Sequence, residues 1–222
     1  EALTMMDWDY PQIEITSLAD IPSGTGLGSS GSFTVALLHA LYQYENRIVK
    51  QGEIAERACE IEINRLKRSV GKQDQYISAY GGIQHMVFNR DDTVEINPVP
   101  LSHETLWDLD DNLLLFFTGM SRSANDILKE QDQKMDDPDK RMVANLDAVI
   151  DLGNAALEAL IKGDLDCFAQ IMNEQWTLKM ARSESVSNKR INELYWLGRG
   201  AGAIGGKLVG AGGGGFLLFY TN

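Results

Sequence analysis

Cysteine, histidine, positive charge and long apolar runs are all scarce in this chain of 222 residues, and each shortage closes off a class of function. The two cysteines, Cys59 and Cys167, lie far apart in helical-looking stretches. They read as small buried residues of a reducing, cytoplasmic compartment rather than as a disulfide framework. His39, His85 and His103 show neither HExxH nor a Cys/His zinc spacing, so a His-centred triad has no support. The apolar runs LLLFF (113–117) and FLLFY (216–220) are five residues each, whereas a bilayer span takes about 20. The opening EALTMMDWDYPQ has neither a basic region nor an apolar one, and no secretory signal is read there. Twenty basic side chains against 32 acidic ones leave a net charge of −12. A nucleic acid or an anionic membrane would approach against that field, and neither partner is expected.

Glycine, by contrast, is concentrated. Of 21 glycines, four fall between Gly24 and Gly31 and ten between Gly198 and Gly215, so two-thirds of them occupy two short zones. Hydrophobic residues at 44% and charged ones at 23% place the rest of the chain among ordinary globular proteins. Alternation predicts a strand over 13–19. A helix follows over 29–45 with Phe33, Leu37, Leu38, Leu41 and Tyr44 as its apolar face, and another over 53–66. Residues 74–80 read as a short helix stopped by Gly81–Gly82. IQHMVFN and TVEINPV read as a hairpin, and 112–118 as a buried strand. From Ser123 to about Gly200 the pattern is helical. Asp137-Pro138 opens one helix, Asp164 caps the next, and a last one spans 188–197 before FLLFY. Strands and helices mixed without a regular βαβ repeat make the fold class α+β.

The first glycine zone, IPSGTGLGSSGS, lies between a predicted strand and an amphipathic helix. Glycines at 24, 26 and 28 admit positive φ and the close approach of a ligand, and Ser29 and Ser30 open a helix whose free N–H groups face the loop. Phosphate suits such a place. No Lys follows the last glycine, which removes a Walker A reading, and the surroundings are not βαβ, which weakens a dinucleotide one. Taken alone, the loop also reads as a glycine-rich turn with a Ser cap. The second zone, GGKLVGAGGGGF, runs into a strand, and taken alone it also reads as a tight hairpin. Glu62 and Asp74 flank a Val70-Gly71 turn that can return both carboxylates to one place; either by itself reads first as a solvated surface acid, the usual case for a lone Asp or Glu in a helical stretch.

PSGTGLGSSGS resembles the P-x-x-x-G-L-G-S-S motif of the GHMP kinases, and GGKLVGAGGGGF resembles that family's third motif, in the family's order. The resemblance implies ATP and Mg²⁺ as cofactors. Gly24, Gly26, Leu27, Gly28, Ser29 and Ser30 would wrap the nucleotide phosphates, with Ser30 also at the metal. The Glu-x11-Asp string within IEINRLKRSVGKQDQ resembles the family's magnesium Glu, here Glu62, and its catalytic Asp, here Asp74, which accepts the substrate's hydroxyl proton. Lys72 is implied beside Asp74, lowering its pKa or neutralising phosphate. Gly212, Gly213 and Lys207 are implied at the substrate. The fold implied is an N-terminal α/β lobe over 1–100, truncated at its start, and a ferredoxin-like, helix-rich C-terminal lobe over 101–222.

KQDQY with AYGG, TGMSRSANDIL and GGKLVGAGGGGF resemble the branch of D-glycero-D-manno-heptose 7-phosphate kinases and fucokinase domains. That implies ATP-dependent phosphorylation of the anomeric hydroxyl of a sugar phosphate. Arg122, whose planar fork suits an anion, is implied at the sugar's own phosphate; it reads equally as a surface arginine at a helix start. The family's first motif is absent, so the chain is expected to be a fragment. A kinase for a neutral sugar or a small alcohol, and an inactive sensor of the same fold, are the competing readings. Retention of Glu62, Asp74, Ser30 and both loops argues against the sensor.

Overall fold

The computed structural model describes residues 1–9, 12–121 and 140–222. The short α1 (Ala2–Met5) precedes α2 (Ser29–Tyr44). This helix buries Val35, Leu38, Leu41 and Tyr42, whereas Phe33 and Tyr44, expected on the apolar face, are 49% and 58% exposed. The face is turned toward Thr34 and Tyr42 because α3 (Gln51–Cys59) and α4 (Gln73–Tyr80) pack against that side. Ile54, Ala55 and Ala58 of α3 complete this core.

Immediately after α3 the helix widens into a π turn, Glu60–Arg65, in which the Leu66 N–H reaches the Ile61 carbonyl at 2.9 Å. Two consecutive residues, Ile61 and Glu62, are buried there. Wide turns of this kind recur at functional sites because they re-aim a side chain that a regular helix would place elsewhere. Gly81 and Gly82, at φ 69° and 65°, end α4. The expected hairpin follows as β1 (Gln84–Phe88) and β2 (Val94–Pro98), antiparallel with Met86 opposite Ile96.

In the second half, α5 (His103–Asn112) is capped by Ser102 and leads directly into β3 (Leu113–Phe117). The helices α6 (Lys140–Lys162), α7 (Leu165–Arg182) and α8 (Lys189–Gly200) then precede β4 (Gly205–Leu208) and β5 (Phe216–Tyr220). The sheet is antiparallel in the order β3-β5-β4, with Leu115 opposite Leu218 and Lys207 opposite Leu218 on the other side. Helix α7 lies directly on β4: a Cβ on Gly205 would fall 1.7 Å from the Ala169 carbonyl oxygen. Asn173 fastens the two, its amide donating to the Ile204 carbonyl and its Oδ1 accepting from Gly206 N–H and the Tyr195 hydroxyl. Helices mixed with two antiparallel sheets bear out the α+β class.

Several local expectations are corrected. Residues 13–19 form no strand; with no ladder partner among the described residues, Ile15 and Leu18 stand 49% and 96% exposed. Alternation alone cannot satisfy a strand's main-chain groups. Strand β3 forms but is not buried, because it is the sheet's edge and Leu115, Phe116 and Phe117 are about half exposed among the described residues. The helical stretch is broken between Arg182 and Lys189 by a 3₁₀ turn, Glu184–Val186. Cys59 is buried and Cys167 is exposed, both as free thiols. Cys167 sits on the first turn of α7, its N–H bound to the Asp164 cap. Arg122 and the Asp137-Pro138 helix start lie outside the described residues.

Candidate active site

Gly24, Gly26 and Gly28 all adopt positive φ, at 74°, 81° and 70°, and Gly28 is the left-handed residue from which α2 departs. Gly28 has no side chain to cap the helix, and its carbonyl takes the first helical bond from Ser32 N–H at 2.9 Å. The N–H groups of the opening turn are thereby left for a ligand, at the positive end of a 16-residue helix. Leu27 is half-buried beneath the loop. Thr25 is buried and donates from Oγ1 to the Pro22 carbonyl at 2.8 Å, which closes the loop on itself.

Asp74, on the first turn of α4, stands directly under this helix start. A Cβ on Gly28 would lie 3.3 Å from the Asp74 Cγ, and one on Gly31 would lie 2.9 Å from its Cβ. Only glycine lets the backbone come this close to the carboxyl. Part of the side chain still meets solvent, yet burial of the carboxyl, and then the nearby Glu62 charge, push its pKa above the usual Asp value.

Glu62 is 1% exposed and fully engaged. Its Oε1 accepts from the Ser30 hydroxyl and, at 2.9 Å, from the Arg68 guanidinium; its Oε2 accepts from Gln75 at 2.5 Å. Arg68 also donates to the Ser30 Oγ. The chain reaches this arrangement through Lys67, which at φ 52° turns back so that Arg68 N–H bonds the Glu62 carbonyl at 3.0 Å. One carboxylate and one hydroxyl, side by side at the mouth of the phosphate loop, suit magnesium, which keeps several waters and takes its remaining oxygens from substrate phosphates. Among the described residues no group of three His, Cys, Asp or Glu side chains could hold a metal by itself. The fit therefore depends on phosphate oxygens.

Lys72 goes elsewhere. Its amine binds the Asp92 carboxylate at 3.1 Å and the Asp92 carbonyl at 2.8 Å, with Glu56 at 3.7 Å. It does not hold down the Asp74 pKa, which moves up.

The second glycine loop is braced against the first. A Cβ on Gly215 would fall 2.1 Å from the Thr25 carbonyl oxygen, and one on Gly210 would fall 2.4 Å from the Gly26 Cα. Gly215 N–H donates to the Met120 carbonyl, while the Gly215 carbonyl accepts from both Thr118 N–H and Oγ1. Gly212 packs on Val186, and Gly213 N–H donates to the Val186 carbonyl at 2.8 Å. The amide expected at the substrate thus anchors the loop. Lys207 on β4 donates to Gln175 at 2.9 Å, and burial and then the Arg182 charge lower its pKa.

Four contributors escaped the sequence reading: Arg68, Gln75, Lys179 and Arg182. Lys179 donates to the Gly210 carbonyl. Its pKa is lowered to about 7 by burial and then by Lys207 and Arg182. The available signal was two cations one turn apart, on a helix whose Ile171, Met172 and Trp176 face the core. Gln75 was marked only by its place next to Asp74.

Comparison with known proteins matches residues 1–82 to the GHMP kinases N terminal domain and residues 156–221 to the GHMP kinases C terminal domain. D-glycero-alpha-D-manno-heptose 7-phosphate kinase of Campylobacter jejuni is 34% identical over 204 residues, which cover 92% of this chain and 60% of that protein. This chain thus spans under two-thirds of that relative's length. The crystal structure of a D-glycero-D-manno-heptose 1-phosphate kinase from Bacteriodes thetaiotaomicron aligns at TM-score 0.64 and 29% identity, covering 91% of this chain and 55% of that one. The L. major mevalonate kinase in complex with R-mevalonate aligns at TM-score 0.70 and 24% identity over 90% of this chain and 58% of that one, a likeness of fold.

Proposed function

The chain belongs to the GHMP kinases, and from that membership we propose that it carries the phosphoryl-transfer site of an ATP- and magnesium-dependent sugar-phosphate kinase, acting in the cytoplasm on the anomeric hydroxyl of D-glycero-D-manno-heptose 7-phosphate. Residues 1–100 and 101–222 are read as its two lobes. The observation that carries this reading is the packing of Asp74 against Gly28 and Gly31 of the phosphate loop. A triphosphate lying on the N–H groups at the start of α2 would have its terminal phosphate beside a carboxylate.

Phosphoryl transfer asks the protein for positioning and charge neutralisation more than for covalent chemistry. The backbone of Gly24 to Ser30, with the α2 dipole behind it, supports the phosphates. Asp74 orients the acceptor hydroxyl and takes its proton late in transfer; a raised carboxylate pKa suits a base working nearer neutrality. Glu62 and Ser30 are placed to hold magnesium, which when bound supplies charge neutralisation across the phosphate oxygens. Arg68 balances Glu62 until then. Lys207, and Arg122 by resemblance, are assigned to the acceptor's own phosphate.

The test is a coupled ADP-release assay of the purified full-length protein. D-glycero-D-manno-heptose 7-phosphate should be turned over in preference to the unphosphorylated heptose, fucose, galactose and mevalonate. Turnover of a neutral sugar or mevalonate alone would move the assignment to another branch, and nucleotide binding without turnover would leave a sensor.

A further inference from the structure

Lys179 and Arg182 lie one helical turn apart near the end of α7, and Lys207 lies on β4, the strand that α7 covers. The crossing is close because Gly205 has no side chain. It brings three cations together beneath the second glycine loop, with Lys179 donating to the Gly210 carbonyl and Lys207 to Gln175. The Arg182 Nε is buried and has no acceptor among the described residues.

The charges act on one another. Lys207 and Arg182 both disfavour the charged form of Lys179, and Arg182 does the same to Lys207. Among the described residues no carboxylate offsets any of the three. Clustering partly buried like charges and leaving a guanidinium donor without an acceptor both cost stability. An anion would remove both penalties at once.

We propose that Lys179, Arg182 and Lys207 form a binding site for a phosphate monoester dianion, the phosphate that the acceptor already carries before transfer. The inference rests on the kinase reading for the identity of the acceptor; for the anion it rests on the α7–β4 crossing, the buried Arg182 Nε and the mutual repulsion of the three cations. Two ammonium groups and a planar guanidinium fork match a dianion with several acceptor oxygens, where a single carboxylate would leave donors unused. Lys179 meets Gly210 at its carbonyl, whereas the first loop meets Gly210 at its Cα. The Gly210 backbone therefore lies between Lys179 and the first glycine loop.

Inorganic phosphate is the probe. Its affinity for the full-length protein is measured by calorimetric titration in the presence of saturating magnesium and AMP-PNP, and AMP-PNP affinity is measured separately. Arg182→Gln and Lys207→Met, the latter retaining the aliphatic stem, should each weaken phosphate by about tenfold or more, as expected for loss of a charge-assisted hydrogen bond. AMP-PNP should bind within about twofold of wild type, since the phosphate loop is untouched. Arg182→Lys, which keeps the charge but loses the fork, should fall between wild type and Arg182→Gln, and Lys179→Met repeats the test should another variant fail to fold. Unchanged phosphate affinity across the variants overturns the proposal. So does an equal loss of AMP-PNP affinity, which would give the trio to the nucleotide. Failure of every sugar phosphate to turn over, with trio-dependent phosphate binding intact, would sink the kinase reading and leave the anion site standing.

Discussion

Gly26 and Gly210 meet backbone to backbone: a Cβ on Gly210 would stand 2.4 Å from the Gly26 Cα, and one on Gly26 would stand 2.8 Å from the Val209 carbonyl oxygen. Both residues also have positive φ, 81° and 73°. The two glycine loops, far apart in the chain, are therefore packed as one structure, and the second fixes the shape of the first. Gly210→Ala combines φ strain with a backbone clash and should cost about 1–3 kcal/mol of stability. It should also weaken AMP-PNP, although Gly210 need not contact it. Gly200→Ala is the control, because a Cβ there meets nothing within 4 Å. Thermal melts and AMP-PNP titrations of both variants check the expectation; equal behaviour would mean the loops are not coupled.

Ser30, Glu62 and Arg68 give two substitutions of opposite sign. The Arg68 guanidinium occupies the same two oxygens, Ser30 Oγ and Glu62 Oε1, that magnesium is proposed to use. Loss even of an outer partner of a metal ligand costs about 10–100-fold in metal affinity. Glu62→Gln should accordingly raise the half-saturating magnesium concentration by at least about tenfold. Arg68→Gln removes the competing cation and should lower it. A magnesium titration of steady-state rates reads both, and a rise in both variants would show that Arg68 supports the metal site rather than competing for it.

Residues near one another in sequence were the legible ones. The first loop and the helix it opens are encoded within a dozen residues, and the hairpin and the Asp164 cap follow equally local chemistry. Glu62 and Asp74 were singled out by the family resemblance of their string, but the π turn that buries Glu62 was not legible, since the apolar positions 54, 58 and 61 fit a regular helix as well. Arg68 depends on the left-handed Lys67, a conformation no composition rule predicts for lysine. Lys207 joins Lys179 and Arg182 only because α7 crosses β4 at Gly205, a tertiary fact. Lys72 was misplaced for the same reason in reverse: Asp92, in the hairpin turn, captures its amine.

Lys179 should leave a signature in the pH dependence of stability. Its pKa in the folded protein is about 7, against 10.5 ordinarily, through burial and then the charges of Lys207 and Arg182. Between those values the unfolded chain holds a proton that the folded protein has released, so stability rises with pH across that window. The cost of the charged amine is fully present below about 7. Lys179→Met should flatten this rise, and sulfate, a dianion throughout this range, should stabilise wild type most on the acidic side of about 7, where the amine is charged. Melting temperatures as a function of pH, with and without sulfate, decide it; parallel curves for wild type and variant would remove Lys179 as their origin.

Asp74 should separate stability from catalysis. Burial, and after it the Glu62 charge, raise its pKa above 3.8 in the folded state. Between 3.8 and that raised value the folded protein holds a proton that the unfolded chain has lost, so stability falls as pH rises through the interval. At neutral pH the ionised carboxylate is then a net cost to the fold. Asp74→Asn abolishes the cost without changing the side chain's size, and the variant should melt no lower than wild type at neutral pH. That advantage should close as pH falls toward 3.8, where both side chains are uncharged. The kcat should move the other way and drop by about 10²–10⁴-fold, the usual worth of a general base, while AMP-PNP affinity stays near wild type. A structural aspartate would lose stability and rate together, whereas a base held under Gly28 and Gly31 at the fold's expense gives the opposite signs. Melting curves and steady-state rates on the same two proteins distinguish them, and a near-normal kcat in Asp74→Asn would end its assignment as the base.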